Sequence, residues 1–290
     1  MPDDATLDLA SVRWIHGAPD CARSDDPLLQ VVRADPDTFV LRVSKCFSFE
    51  GNFIYLLVGR DRAVLFDTGG PSDPGAAARV LPLREAVDAV LDAHPASPGP
   101  GSMELVVAHT HGHRDHVHWD GQFADRPRTT VVGHGVAEVR AFWGLDDWPE
   151  GEATFDLGGR LLTVVPTPGH EAAHVAIFDR RTGLLLTGDV LYPGLLTVRD
   201  WPAFRATARR LRDFARSRPV RLCLGNHVEM SQTPGVLYPL GATFQPDEHP
   251  LPLDVSQVEA LHRLCEGMGD APRDAVEASF AIGLVAQPGS

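Results

Sequence analysis

The chain has 290 residues, of which 43% are hydrophobic, and a formal net charge of -13. This composition is typical of an ordinary soluble protein with enough material for one large or two small domains. The negative charge and the lack of Lys/Arg runs argue against nucleic acid as a partner. No apolar run approaches the ~18 residues of a membrane span and the first residues do not resemble a signal peptide, so we expect a cytoplasmic protein with no membrane partner.

The four cysteines, Cys21, Cys46, Cys223 and Cys265, are far apart in the sequence and form no Cys-x-x-Cys pair. This spacing argues against a disulfide framework and against a thiolate zinc site. We therefore expect reduced cysteines with structural roles.

The first elements predicted along the chain are an arm, several strands and a helix. Residues 1–38 are rich in Asp and Pro turns and are predicted to be an N-terminal arm, irregular or with short strands. Short apolar runs then predict strands at 39–43, 53–58 and 63–66. Apolar residues at near-helical spacing predict a helix from Gly75 to His94.

Several apolar runs further along are each followed at once by residue types that bind metals. Because α/β sheets place their chemistry at the carboxyl ends of strands, this repeated order predicts a site at those ends. The runs are strand 105–108 before the histidine cluster, strand 161–165 before His170, the hairpin 173–187 before Asp189, and strand 220–224 before His227.

The chain is predicted to contain one main domain. We expect this domain to span 39–235 and to be followed by a C-terminal tail, 236–290, that packs on it. Amphipathic helices are predicted at 201–216 in the domain and at 255–265 in the tail.

The densest group of candidate ligands is the segment His111-Gly112-His113-Arg114-Asp115-His116. A helix or strand could not turn all four side chains one way, whereas a tight loop can spread them around two ions. Zinc favours His nitrogen and Asp oxygen at about 2.0–2.2 Å. With His170, Asp189 and His227, the ligands suffice for two zinc ions with a position left open for water.

The inferred arrangement gives each ion three ligands and a shared carboxylate. A hydroxide between the two ions would be the nucleophile, because metal binding lowers the pKa of water from about 15.7 toward ~7. Asp115 is in addition a candidate to pass a proton to the leaving group. Iron or manganese are alternative metals. The assignment is His111, His113 and His170 on one ion, Asp115, His116 and His227 on the other, and Asp189 bridging.

The other polar residues of these segments are expected to lie outside the ligand set. His249 and His262 in the tail are alternatives to His227, whose position directly after a strand favours it. Asp67, at the end of its strand, is expected to orient a ligating imidazole through its second N–H. Structural roles or roles next to the ligands are expected for His109, His118, His134 and His174.

Taken together, these motifs resemble those of the metallo-β-lactamase superfamily. Residues 110–116 match the family signature Thr-His-x-His-x-Asp-His in full, with Asp67-Thr68-Gly69 before it and the three later ligands after it in the family's order. The resemblance runs from about Phe53 to His227. It implies an α/β fold, a four-layer αββα sandwich with a two-metal site at one edge of the sheets.

Two branches of that family resemble this chain in particular residues. Segment 167–174 looks like that of hydroxyacylglutathione hydrolases, with a second histidine four residues after the first. Those enzymes grip glutathione with basic residues of a helical C-terminal region, where this tail offers little beyond Arg263 and Arg273. Tyr192 is similar in placement to the tyrosine with which N-acyl homoserine lactonases polarise the ring carbonyl, and is therefore a candidate catalytic residue.

The leading hypothesis is a two-metal hydrolase that opens an ester, thioester or lactone bond in a small metabolite. One alternative is an iron-dependent oxygenase or oxidoreductase similar to persulfide dioxygenases, because imidazole and carboxylate also suit iron. The other is a non-catalytic metal-binding protein, although structural zinc sites are usually closed and thiolate-rich.

Overall fold

Two six-stranded sheets form the centre of the protein in a computed structural model that describes residues 7–71 and 80–285. In the first sheet the strands follow chain order, antiparallel from β1 to β4 and parallel from β4 to β6. Its strands are β1 (Leu29–Asp35), β2 (Thr38–Val43), β3 (Phe53–Val58), β4 (Arg62–Phe66), β5 (Glu104–Ala108) and β6 (Thr129–Val131).

The second sheet has the strand order β13-β12-β10-β9-β8-β7. Only β10 and β12 are parallel neighbours among its described pairs. Its strands are β7 (Ala153–Asp156), β8 (Leu161–Pro166), β9 (Val175–Asp179), β10 (Leu184–Gly188), β12 (Leu222–Gly225) and β13 (Pro252–Asp254). A small third sheet consists of β11 (Leu195–Val198), β14 (Ala275–Val276) and β15 (Ala281–Leu284).

Three hydrophobic clusters show how the layers stack. One lies between the two sheets and contains inward-facing residues of both, such as Tyr55 and Ile177. A second lies on the outer face of the first sheet, where Val87 packs from helix α1 (Leu83–Ala93). A third lies outside the second sheet, under α4 (Trp201–Ser217) and α5 (Ser256–Met268). This α-β-β-α order confirms the predicted four-layer sandwich.

Coverage on both faces explains the sequence of β3. All six residues of Phe53–Val58 are buried, because one face meets the second sheet and the other meets α1. A strand buried on both faces is a continuous apolar run rather than an alternating one.

Described segments toward both ends of the chain join these layers. Segment 29–35, which the sequence placed in an N-terminal arm, is the edge strand β1, paired with β2. The tail supplies β13 to the second sheet and α5 to the layer that also contains α4. Two short helices, α2 (Arg114–Val117) and α3 (Val136–Trp143), follow β5 and β6.

The predicted helix from Gly75 to His94 is only partly correct. Residues 72–79 lie outside the described part of the chain, and α1 begins at Leu83 with Pro82 as its N-cap. Val80 and Leu81, which fitted the helical spacing, are not helical. A residue that precedes proline is disfavoured in the α conformation, which explains why the helix starts after Leu81.

The expectation that the cysteines are reduced is wrong for two of them. Cys21 and Cys46 form a disulfide, with their Cα atoms 5.1 Å apart, whereas Cys223 and Cys265 are free and buried. The pairing was hidden because it joins residues 25 positions apart whose proximity depends on how the N-terminal segment packs. None of the helices in residues 7–71 and 80–285 combines the length and apolarity needed to cross a bilayer.

Candidate metal centre

The predicted ligands meet at one edge of the sandwich, where strands of both sheets end. β4 and β5 are parallel neighbours in the first sheet, as are β10 and β12 in the second, so their carboxyl ends lie side by side. The segments that follow β5, β8, β10 and β12 carry the candidate ligands, two of which lie in the short helix α2. Side chains close enough to share metal ions are His111, His113, Asp115, His116, His170, Asp189 and His227.

The first group consists of three imidazoles, those of His111, His113 and His170. Nε2 of His111 lies 2.9 Å from Nδ1 of His113, and Nε2 of His170 lies 3.2 Å and 3.0 Å from these two atoms. Nitrogen ligands placed tetrahedrally around zinc at about 2.0–2.1 Å would be roughly 3.3 Å apart. The three nitrogen atoms therefore have the spacing of ligands to one ion.

The second group consists of Asp115, His116 and His227. Nε2 of His116 lies 3.2 Å from Oδ2 of Asp115 and 3.3 Å from Nε2 of His227. The Asp115 oxygen and Nε2 of His227 are 3.5 Å apart. This group has the same compact triangular form, with one carboxylate in place of an imidazole.

Asp189 lies between the two groups. A single oxygen, Oδ2, is 3.8 Å from Nε2 of His111 and 3.6 Å from Nε2 of His170. The same oxygen is 3.4 Å from Nε2 of His116 and 3.3 Å from Nε2 of His227. This placement is the one expected of a bridging carboxylate.

The donor set fits metal ions. Oδ1 of Asp189, the second oxygen of the carboxylate between the two groups, is buried and has no hydrogen-bond partner among the described residues. Nitrogen atoms of neutral imidazoles that converge on one point present lone pairs to each other, which is unfavourable without a cation. His nitrogen and Asp oxygen are ligands that zinc, iron and manganese accept.

Burial keeps the first group neutral. It lowers the pKa of His113 to about 4 and the pKa of His111 well below its usual value, and it also lowers the pKa of His170. Neutral imidazole is the form that binds a metal. This group is therefore ready to bind a cation at neutral pH without losing protons.

The imidazoles of the second group have raised pKa values and hold their protons at neutral pH. Burial opposes charge on the imidazoles, but Asp115 and Asp189 outweigh it, raising the pKa of His116 well above its usual value and that of His227 to about 10. The same contacts overcome burial and lower the pKa values of both carboxyls. A metal ion that binds here must displace protons from the imidazoles.

Asp67 orients His116 from outside the ligand set. Its Oδ2 lies 3.2 Å from Nδ1 of His116, leaving Nε2 for the metal side. The carboxylate is held by the backbone N–H of Thr110 at 2.8 Å, the hydroxyl of Thr110 at 2.9 Å and the amide of Asn226 at 2.7 Å. The structure thus places Asp67 where the sequence predicted it.

Backbone carbonyls orient two other imidazoles. Nδ1 of His170 lies 2.7 Å from the carbonyl oxygen of Thr197, and Nδ1 of His227 lies 3.1 Å from that of Glu50. A proton held on Nδ1 leaves the lone pair on Nε2, the atom that faces the site. Sequence reasoning missed both partners, since any residue type can supply a carbonyl.

Asn52 and His174 also contact ligands. Nδ2 of Asn52 donates to Oδ2 of Asp115 at 3.1 Å. The backbone N–H of Asp189 donates to Nε2 of the buried His174 at 3.1 Å, and Nδ1 of His174 lies 2.7 Å from the hydroxyl of Thr167. A structural role or a role next to the ligands was expected for His174, whereas nothing in the sequence singled out Asn52.

Tyr192 is buried beside the site, with its ring centroid 5.4 Å from that of His227. Its hydroxyl donates to the carbonyl of Leu195 at 2.6 Å and lies 3.2 Å from a carboxylate oxygen of Glu229. To polarise a substrate carbonyl, this hydroxyl would first have to leave its bond to Leu195.

The remaining histidines have other partners. Nε2 of His109 lies 2.9 Å from Oδ1 of Asp120, and Nε2 of His262 accepts from Arg212 at 2.6 Å. Nδ1 of His249 lies 2.7 Å from the carbonyl of Pro250. None of these joins a metal-binding group among the described residues, nor do His118 and His134.

The curated relatives that this chain resembles include two named hydroxyacylglutathione hydrolase. A hydroxyacylglutathione hydrolase of a Synechococcus species is 32% identical over 155 residues, which is 53% of this chain and 54% of that protein. One from Anaeromyxobacter dehalogenans is 34% identical over 141 residues, or 49% and 46% of the two chains. The chain thus spans about half the length of the curated relatives it matches.

Solved structures show a similar fold. A metallo-beta-lactamase from Pontibacter korlensis superposes with a TM-score of 0.53 at 17% identity, covering 82% of this chain and 99% of that one. A flavodiiron core from Synechocystis gives 0.52 at 17% identity, covering 84% and 62%. A family model described as the metallo-beta-lactamase superfamily matches residues 48–227, more than half of the chain and the part that carries every candidate ligand. The chain therefore belongs to the metallo-beta-lactamase superfamily.

Proposed function

We propose that this protein is a hydrolase that holds two metal ions and cleaves a thioester bond in a small molecule. The observation that carries the proposal is Oδ2 of Asp189, which faces both ligand groups at 3.3–3.8 Å. One carboxylate shared between two triangular groups of ligands is the arrangement of a two-metal site. A single ion would leave one buried group without a cation.

Bound zinc ions would supply a water of lowered pKa as the nucleophile and would polarise the carbonyl oxygen under attack. The protein would hold the ions and orient each ligating atom toward them. Asp67, Thr197 and Glu50 do this by fixing the protons of three imidazoles on Nδ1.

The substrate side of the site is the side of His113 and Asp115. The side chain of Asp115 is 22% exposed, whereas those of His111 and His116 are fully buried. His113 is also partly exposed. Asp115 is therefore the acidic ligand that a leaving group can reach. Its ionised carboxylate could accept the proton that the attacking water gives up and pass it to that group, which supports the proposed role in proton transfer.

A thioester is preferred to a lactone for two reasons. The relatives that match about half of the chain are named hydroxyacylglutathione hydrolases, and hydroxyacylglutathiones are thioesters. The lactone alternative depends on Tyr192, whose hydroxyl is hydrogen-bonded to Leu195. We therefore place a small acyl thioester first among the substrates.

Metal analysis and a hydrolysis screen test the proposal together. Purified protein is analysed for zinc, iron and manganese, and is then assayed with S-lactoylglutathione, a neutral aryl ester and an acyl homoserine lactone. We expect about two metal ions per chain and turnover that is fastest on the thioester. His113→Ala and Asp189→Ala should lose nearly all turnover, while Thr163→Ala, a buried polar change in β8 away from the ligands, should not.

The outcomes separate the alternatives. One metal ion or none per chain would exclude the two-ion site. Iron content together with oxygen consumption would assign the protein to the oxidoreductase alternative, and preference for the lactone would return Tyr192 to a catalytic role. Tight metal binding without turnover of any substrate class would favour a non-catalytic metal-binding protein.

A further inference from the structure

The buried amide of Asn52 contacts the second ligand group from outside the ligand set. Asn52 is fully buried, and its Nδ2 donates to Oδ2 of Asp115 at 3.1 Å and lies 3.5 Å from Nε2 of His227. These two atoms are the ones that face His116. Asn52 therefore touches ligating atoms, whereas Asp67 acts on the far side of an imidazole.

The orientation of the amide follows from its partner. An ionised carboxylate offers only acceptor oxygens, so the NH2 group of Asn52 must face Asp115. The other end of the amide, Oδ1, is buried and has no hydrogen-bond partner in the described part of the chain. Burying an unpaired polar atom is unfavourable. The hydrogen bond that Nδ2 donates to Asp115, and not packing, therefore accounts for the burial of this amide.

Asn52 is held by the 44–52 loop, the segment between β2 and β3. The buried ammonium group of Lys45 donates to a carbonyl of the same loop at 3.1 Å. The disulfide at Cys46 ties the loop to the N-terminal segment, and the carbonyl of Glu50 accepts from His227. The position of the Asn52 amide is therefore fixed before any ion binds, as an orienting group requires.

From these contacts we infer that Asn52 is a positioning residue for the second metal ion. Its amide holds the ligating oxygen of Asp115 in place and so sets the affinity of the Asp115–His116–His227 group for its ion. No hydrogen bond joins Asn52 to the first group in the described residues. Loss of such an orienting partner typically weakens metal binding by about 10- to 100-fold. The inference rests on the two-ion function proposed above.

Stepwise zinc affinities test this role without any assay of activity. Wild-type protein, Asn52→Ala, Asn52→Leu and the buried-polar control Thr163→Ala are stripped of metal and titrated with Zn²⁺ against a chromogenic chelator. We expect both Asn52 variants to bind one ion as wild type does, within about threefold, and the other about 10- to 100-fold more weakly. The control should bind both ions normally. Leu has the same number and branching of side-chain heavy atoms as Asn and leaves no cavity, although its methyl groups are larger, so this variant remains informative if Ala unfolds the protein.

A double variant shows whether the effect passes through Asp115. In an Asp115→Ala background, Asn52→Leu should cause no further loss of zinc affinity, because the oxygen that it positions is already gone. Unchanged affinities in Asn52→Leu, equal loss of both ions, or an undiminished effect without Asp115 would each overturn the inference. A wild-type protein that binds a single ion would instead contradict the proposed function, so the two failures are distinct.

Discussion

Replacing Asp67 with Asn tests whether a carboxylate outside the ligand set controls both stability and metal binding. Asp67 is fully buried and has a positive φ of 70°, a conformation that Asn also tolerates. The substitution keeps the shape of the side chain and turns one acceptor atom into a donor. It therefore removes hydrogen bonds without creating a cavity.

The atom whose loss matters is Oδ2. Oδ1 of the new Asn still accepts from the backbone of Thr110, but the NH2 group at Oδ2 would face the amide of Asn226 and Nδ1 of His116. Two buried donors without an acceptor cost about 1–3 kcal/mol each. We expect the free energy of unfolding to fall by about 2–6 kcal/mol, a large part of the ~5–15 kcal/mol typical of a folded protein.

The Asp67→Asn substitution should also weaken metal binding. Without Asp67, the proton of His116 is no longer held on Nδ1, and zinc affinity should fall by about 10- to 100-fold. Urea unfolding of metal-free protein measures the first effect, and zinc titration measures the second. The matched control is Asp120→Asn, whose carboxylate lies 2.9 Å from His109 outside the ligand groups. Wild-type zinc affinity in Asp67→Asn, or an equal loss in the control, would refute the reasoning.

Three further predictions concern the disulfide, Tyr192 and pH. The double substitution Cys21→Ser and Cys46→Ser should lower the free energy of unfolding by about 3–4 kcal/mol, because the loop of 25 residues is no longer closed. An unchanged thermal stability in calorimetry would contradict this prediction. Tyr192→Phe should keep thioester turnover within about threefold, since its hydroxyl bonds Leu195; a loss of 100-fold would assign it a catalytic role. In metal-free protein, the carboxylates around His227 outweigh its burial and raise its pKa from 6.5 to about 10. The charge on His227 therefore stabilises the fold fully below pH ~6.5, and this stabilisation is lost as the pH rises toward 10. Metal-free protein should therefore lose stability over that range more steeply than His227→Gln, and equal slopes in urea unfolding would contradict this.

The sequence by itself determined which residues meet in the site and at which edge of the fold they lie. Four candidate ligands fall within residues 111–116, and the other three each follow an apolar strand. Carboxyl ends of parallel strands share one edge, so this local order predicts proximity. The four-layer fold was implied by the family resemblance, and runs such as 53–58, which are apolar throughout and buried on both faces, agree with it.

Only the tertiary structure decided how the site is held. Oδ2 of Asp189 faces both groups, Asn52 reaches Asp115 from 63 residues away, and His227 bonds a backbone carbonyl 177 residues away. Contacts of this kind cannot be predicted from the spacing of residues in the sequence, because any residue can supply a carbonyl and a single Asn forms no periodic pattern. The disulfide between Cys21 and Cys46 was hidden for the same reason, since its partners become neighbours only when the N-terminal segment packs against the 44–52 loop.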